Sequence, residues 1–293
     1  MLQRLVVCYS PWMPGFHRSV PRPVTVLTTI AAALFLAQCN RDGPEPIEAK
    51  PVAVEPAPAP AVPALATLNR ADLLAATSRA ASAYTAGEQM EGTDALVGRQ
   101  FSIRIPFGCN GPQPTQAEAA GDGLARWSWG PENQTIQLSL TPGDWLNTAL
   151  IAGASESDWE TVEGFWVPRP WLTVPDCSAV RADPLQSGAG APSPQTVGLA
   201  AVFGADDSRV GRRNGRAYAF TIRPTGDTAL TAPSRGYRVV LEGRLASFPD
   251  GRAIRCRASN PDQRPVCIAA MRLDRVGFTN ADGSVLLSEW RPG

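Results

Sequence analysis

The stretch YRVVLEGRLASFPDGRAIRCRA, residues 237–258, decides the fold class. Strand-forming side chains lie on both sides of the sequence Phe248-Pro249-Asp250-Gly251. A short run of this kind is typical of a strand, and Pro-Asp-Gly is typical of a tight turn. We therefore predict a β-hairpin with strands at 237–246 and 252–258.

More strands are predicted on both sides of this hairpin. Val197 and Ala217 begin two earlier candidates, at 197–203 and 217–223. Later candidates lie at 267–273, 275–278 and, after a turn at 280–283, at 284–290. We expect residues 191–293 to form an antiparallel meander, arranged as a β-sandwich or a small barrel.

One helix is predicted before the strands. Asn69 is a good N-cap, Asp72 follows in the first turn, residues 71–84 are rich in alanine, and Gly87 ends the helix. Residues 101–107 then alternate as a half-buried strand. Further segments are read as a strand pair at 124–129 and 135–140, a short helix at 144–151 and a strand at 164–167. The predicted fold class is mainly β, with one N-terminal helix.

The first residues have the composition of an export signal. Arg18 and Arg22 precede a mostly apolar run of 14 residues, 24–37. That run is too short for a helix that spans about 30 Å of hydrocarbon, but its length is typical of a signal peptide. The leader is long when it is counted from Met1, and Met13 is an alternative start.

The leader ends in Leu36-Ala37-Gln38-Cys39, which resembles the lipobox of bacterial lipoproteins. In that family the leader is removed before the cysteine, and the cysteine is acylated. The resemblance is confined to the leader and departs at Gln38, where a small residue is usual. It implies a signal peptide at 1–38 and a lipid anchor at Cys39, facing the periplasm. The alternatives are ordinary cleavage, which yields a soluble periplasmic protein, and an uncleaved anchor.

Residues 39–66 are rich in proline and alanine and cannot form a core. We expect an extended, disordered tether, with a reach of up to about 75 Å at about 3.1 Å per residue. A spacer of this kind is most useful when one of its ends is fixed.

Four cysteines follow the tether, and an even number in an exported chain favours disulfides. Among three possible arrangements we prefer Cys109–Cys177 with Cys256–Cys267. A zinc site of four thiolates is the alternative, but no Cys-x-x-Cys spacing supports it.

Basic residues are distributed unevenly, and this excludes several chemistries. The single histidine, His17, lies in the leader, and the single lysine, Lys50, lies in the tether. The folded part therefore has no histidine base, no Ser-His-Asp triad and no Schiff-base lysine. We expect no metal, no cofactor and no nucleic-acid partner.

Charge divides the folded part into an acidic, tryptophan-rich region at 67–190 and a basic region at 191–293. Residues 66–190 contain seven Arg against fourteen Asp and Glu, whereas residues 191–293 contain fifteen Arg against nine. Either the two regions attract each other, or the basic one binds an anionic partner.

Three groups of side chains are candidate sites. Trp127, Trp129 and Trp166, near the acidic residues of 156–163, could stack on a glycan, although tryptophans also fill cores. Arg212, Arg213 and Arg216, with Arg209 nearby, could grip lipid phosphate, or they could belong to a solvated loop. The pair Asp206-Asp207 could bind a cation or transfer protons, or it could shape a turn.

Two functions remain open. The first is a non-catalytic, lipid-anchored envelope protein that binds a protein, peptidoglycan or anionic lipid. The second is a carboxylate-dependent hydrolase of envelope glycan, with its acids from 156–163 or from Asp206 and Asp207. The absence of histidine and of a catalytic motif favours the first.

Overall fold

The computed structural model describes residues 65–88, 92–113, 121–151, 159–179, 193–207, 211–226 and 228–291. The predicted leader, the lipobox and the tether up to residue 64 lie outside these ranges. The described residues form one α-helix, α1 at Arg70–Ala86, and eleven strands. In chain order the strands are β1 Gln100–Phe107, β2 Ala125–Trp129, β3 Ile136–Leu140, β4 Gly143–Asp144, β5 Trp159–Trp166, β6 Val197–Gly204, β7 Tyr218–Ile222, β8 Tyr237–Leu245, β9 Ile254–Arg257, β10 Val266–Asn280 and β11 Leu286–Trp290. The predicted fold class, mainly β after one N-terminal helix, is confirmed.

Helix α1 has the two predicted caps, Asn69 and Gly87, and is slightly longer than the predicted 71–84. The Asn69 side chain accepts hydrogen bonds from the backbone N–H groups of Ala71 and Asp72, and the Asp72 carboxylate accepts one from the Asn69 N–H. At the other end Gly87 has a φ of 70°, the left-handed conformation that closes a helix. Local sequence signals therefore specify both ends of the helix.

Among the described residues no helix combines the length and apolar character needed to cross a bilayer.

The larger sheet has eight strands, and six of them follow the order β1-β8-β10-β6-β5-β4. The long strand β10 organises this sheet. Its first half pairs with β9 and, in parallel, with β6. Its second half pairs with β8 and β11.

Three details of the predicted antiparallel meander are wrong. The strands at 237–246 and 252–258 do not pair with each other, because each pairs with a different half of β10. The turn between them is present, with the Phe248 N–H donating to the Arg252 carbonyl at 2.8 Å, but it is a corner and not a hairpin loop. The strands predicted at 267–273 and 275–278 are one strand with a bulge between Leu273 and Arg275. The parallel pairing of β6 with β10 was also not expected.

The second sheet has the order β2-β3-β7 and packs on one face of the larger sheet. Trp127, Leu138 and Tyr218 from this sheet share a continuous core with residues of β1, β6, β8 and β10. The apolar side of α1 joins the same core through Leu73, Leu74 and Ala80. The arrangement is an open sandwich of two sheets, and not a closed barrel.

A smaller core covers the opposite face of the larger sheet. Trp145 lies there against Trp166, with 4.6 Å between the ring centroids. Its indole occupies the space that side chains would need at Gly164 in β5 and Gly198 in β6. The short helix predicted at 144–151 is wrong, because this segment forms β4 and a series of turns that place Trp145 on the sheet.

Both predicted disulfides are confirmed. Cys256 and Cys267 are directly paired residues of β9 and β10. The bridge from Cys109 to Cys177 joins the end of β1 to a segment near Arg70.

The Arg70 guanidinium donates to the backbone carbonyls of Pro168, Arg169 and Leu172, and its burial lowers its pKa to about 10.

Candidate functional site

Two arginines of the predicted anion site make internal contacts. Arg212 is buried, and it donates to the Glu160 carboxylate at 2.7 Å and to the carbonyl of Gly204. The Arg213 guanidinium lies 4.6 Å from the centroid of the Tyr218 ring and donates to the carbonyl of Ala217.

The third arginine, Arg216, folds back on its own segment. Its guanidinium donates to the carbonyl of Arg213 at 3.0 Å and to that of Arg212 at 3.3 Å. Together with Arg212 and Arg213, it helps to hold residues 211–217 in place. Arg209 lies outside the described residues.

The anion bound by this segment is the protein's own Glu163. Its carboxylate accepts hydrogen bonds from the backbone N–H groups of Arg213 and of Asn214, the latter at 3.0 Å. Asn214 has a φ of 49°, and this left-handed turn directs the two N–H groups to one point, as in a backbone nest for anions. An external phosphate would have to displace Glu163, so the anion-site hypothesis gains no support from this geometry.

Burial and neighbouring groups shift the pKa of the Glu163 carboxyl in opposite directions. The residue is 3% exposed, and burial raises the pKa of its carboxyl. The two N–H groups and the charges of Arg212 and Arg213 oppose this shift without cancelling it. Nearby, Glu160 borders the same cavity of about 450 Å³ as Glu163. Among the described residues, a buried carboxyl with a raised pKa beside an arginine-paired carboxylate resembles an acid–base pair.

The predicted aromatic platform is not formed. Trp127 and Trp129 share a face of β2, as expected, with 5.6 Å between their ring centroids. However, Trp127 is only 1% exposed, and its indole N–H points to the Gly108 carbonyl at 3.4 Å. Trp166 belongs to the core on the other face of the larger sheet. Trp127 thus fills the core, as the alternative explanation has it, whereas Trp129 and Trp166 are partly buried against the two cores.

A different tryptophan borders an open groove. Trp159, at the start of β5, faces the Asp206-Asp207 turn, the corner at 247–251 and Arg272 of β10. We call this the Trp159 groove. Its volume is about 620 Å³, and its lining residues are Trp159, Gly204, Ala205, Asp206, Asp207, Ser247, Phe248, Pro249, Gly251 and Arg272.

Phe248 supports the Trp159 ring, which is the aromatic wall of the groove. The Trp159 ring packs edge-on against Phe248, with 5.7 Å between the centroids. On another side of Phe248, the Arg255 guanidinium lies 5.0 Å from the ring centroid. Phe248 is 1% exposed, so it forms a rigid support for the half-buried Trp159.

The polar side of the groove is ordered as well. Asp207 accepts a hydrogen bond from the Gly204 N–H at 2.7 Å and another from the Arg272 guanidinium at 2.7 Å. These contacts lower the pKa of the Asp207 carboxyl, the Gly204 N–H having the largest effect. Asp206 is exposed beside it. Of the predicted site residues, Asp206 and Asp207 thus border this groove, Glu160 and Glu163 border a second cavity, and Trp166 borders a third.

Sequence reasoning missed most of the groove. Both of its turns are visible in the sequence, as Asp206-Asp207 and as Phe248-Pro249-Asp250-Gly251. Their proximity depends on the pairing of β6 and β8 with the same strand, β10, and no local pattern reports that.

In the described ranges no three His, Cys, Asp or Glu side chains gather as a metal site would require. Comparisons with family models, curated proteins and solved structures gave no match.

Proposed function

We propose that this protein is a lipid-anchored component of the bacterial cell envelope, and that its β-domain binds an envelope partner without catalysing a reaction. The observation that carries the proposal is the pair of disulfides, Cys109–Cys177 and Cys256–Cys267, in a domain that follows a lipobox-like leader and a proline-rich segment. Disulfides persist in oxidising compartments, so they are compatible with a location outside the cytoplasm.

Attachment through Cys39 is tested by the mass of the mature protein. We expect the full-length chain, expressed in a bacterium with lipoprotein processing, to carry acyl groups on Cys39. A Cys39→Ser variant should lose them, whereas Cys8→Ser, in the leader, should not change the mature product. An unacylated mature N-terminus in the wild-type protein would refute the anchor and leave export to be judged from the cleavage site.

Gln38 offers a second test of the same step. A small residue is usual at this position in the lipobox, so Gln38→Ala should speed the processing of a lipoprotein leader. Pulse-chase labelling measures the rate at which the precursor disappears. An unchanged rate in Gln38→Ala, together with unchanged processing in Cys39→Ser, would favour ordinary leader cleavage.

Binding is tested with isolated envelope material. The wild-type chain should be retained by an envelope fraction and should release no soluble glycan fragments from it. Loss of retention after removal of protein, glycan or lipid from that fraction identifies the partner class. If the wild-type chain is not retained at all, the binding proposal fails.

Glu163 makes hydrolysis the second candidate, because its raised pKa is a property of general acids. Its carboxyl is covered by residues 213 and 214, so this segment would have to move before a substrate reached it. Release of glycan fragments by the wild-type protein, abolished in Glu163→Gln, would replace the binding proposal with this one. Release abolished in Asp206→Asn instead would assign the activity to the Trp159 groove.

A further inference from the structure

We propose that the Trp159 groove is a binding site for an uncharged oligosaccharide. This assignment rests on the proposed envelope function and gives it a location and a ligand class. A volume of about 620 Å³ is within the usual range for small-molecule sites, about 300–1,000 Å³. The groove also combines an apolar wall with a polar rim. A sugar ring has an apolar C–H face and a polar hydroxyl edge, so it needs both.

The apolar wall matches the C–H face of a pyranose. Trp159 is half-buried and borders the groove, and its edge-on contact with Phe248 restricts the orientation of the indole. Pro249 and Gly251 also line the groove without adding charge. Because this contact already restricts the indole, stacking of a sugar on it requires less further ordering of the protein.

The polar rim matches the hydroxyl edge of the same ring. Asp207 is anchored by the Gly204 N–H and by Arg272, which sets the direction of its remaining lone pairs. Adjacent sugar hydroxyls can donate to the Asp206 and Asp207 carboxylates and accept from Arg272. The Ser247 hydroxyl on the opposite turn can do either.

The charge of the groove selects an uncharged ligand. Arg272 is paired with Asp207, so these two side chains neutralise each other. Among the described lining residues, two aspartates and one arginine leave a net negative charge. A phosphate or carboxylate group would be repelled there, whereas hydroxyl and acetamido groups would not.

Two uncharged trisaccharides, tri-N-acetylchitotriose and maltotriose, serve as probes. We expect at least one of them to bind the full-length chain saturably in isothermal titration. Trp159→Ala should weaken that binding about tenfold, which corresponds to about 1.4 kcal/mol, because it removes the apolar wall. Asp206→Asn should also weaken it, and this exposed residue can be changed without altering the core.

Trp171→Ala is the matched control, because Trp171 is 61% exposed and lies outside the groove. Its affinity should equal that of the wild-type protein. The inference is overturned if neither trisaccharide binds the wild-type protein, or if both groove variants bind as the wild-type protein does. If Trp159→Ala loses its native circular dichroism, Asp206→Asn decides the outcome.

The same variants separate this inference from the proposed function. If Trp159→Ala and wild-type chains are retained equally by envelope material, and no trisaccharide binds, the groove assignment fails while the envelope function stands. If the trisaccharide binds but envelope material does not retain the wild-type chain, the groove assignment stands and the envelope partner is wrong.

Discussion

At the scale of single residues, Glu163 combines burial with a titratable proton. Burial raises the pKa of its carboxyl above the ordinary value for glutamate, about 4.3. The folded chain therefore holds this proton more tightly than the unfolded chain does. The stability that follows is fully present below the unfolded pKa, and it is lost as pH rises through the folded pKa.

We expect the free energy of unfolding to fall as pH rises from about 4.3 through the raised pKa of Glu163. Glu163→Gln should flatten that fall, because an amide does not ionise and its oxygen still accepts from the N–H groups of Arg213 and Asn214. Urea unfolding at a series of pH values measures the slope. Glu132→Gln, at an exposed position, should keep the wild-type slope, and an equal slope in Glu163→Gln would contradict this account.

At the scale of elements, α1 depends on its N-terminal cap. Asn69→Ala removes the acceptor for two N–H groups and should lower the free energy of unfolding by about 1 kcal/mol. Asn69→Asp keeps an acceptor oxygen and should cost much less. Urea unfolding at neutral pH measures both variants. Equal stability of Asn69→Ala and the wild-type protein would show that tertiary packing alone holds the first turn.

Strands β5 and β6 depend on the absence of side chains beneath Trp145. A Cβ at Gly164 would overlap the indole, so Gly164→Ala should cost about 1–3 kcal/mol of unfolding free energy. Gly277 in β10 is the control, because the nearest atoms to a Cβ there are 3.3 Å away. Thermal unfolding compares the two variants. A cost at Gly277 equal to that at Gly164 would mean that the loss arises from strand glycines in general.

The sequence predicted the elements better than it predicted their neighbours. Each cap of α1, and the turn at 248–251, is encoded by a few neighbouring residues, so these features were recognised. The partner of a strand is not encoded in its own alternation, and β8 and β9 were therefore paired with each other instead of with β10. Asp274, a polar residue at the β10 bulge, made one strand look like two.

At the scale of the whole molecule, the two disulfides close loops of very different length. Cys109–Cys177 spans 68 residues of sequence, and Cys256–Cys267 spans 11. From the entropy of the unfolded chain, removal of the longer link should cost about 4 kcal/mol and removal of the shorter about 3 kcal/mol. Double serine variants of each pair, compared in denaturant under oxidising conditions, measure the difference. A larger loss for the 256–267 pair would show that strain or packing outweighs loop entropy.

Two of the described ion pairs join the acidic region to the basic one. Glu160 pairs with Arg212, and Asp176 pairs with Arg238, so both ion pairs cross from the acidic region to the basic one. The larger sheet also takes strands from both regions, since β1, β4 and β5 precede residue 190 and the others follow it. Attraction between the regions was one of the two explanations that the composition offered, and composition did not identify the residues involved.

The position of β10 in the larger sheet has a consequence for the order of folding. Strands β6, β8 and β9 are synthesised earlier. Strand β6 can already pair with β5, and β8 with β1, but the two pairs and β9 join one sheet only when residues 266–280 have emerged. Pairing over such separations is slowed by loop-closure entropy. We therefore expect the larger sheet to be completed only after most of the chain has been made, with its two halves unjoined until then.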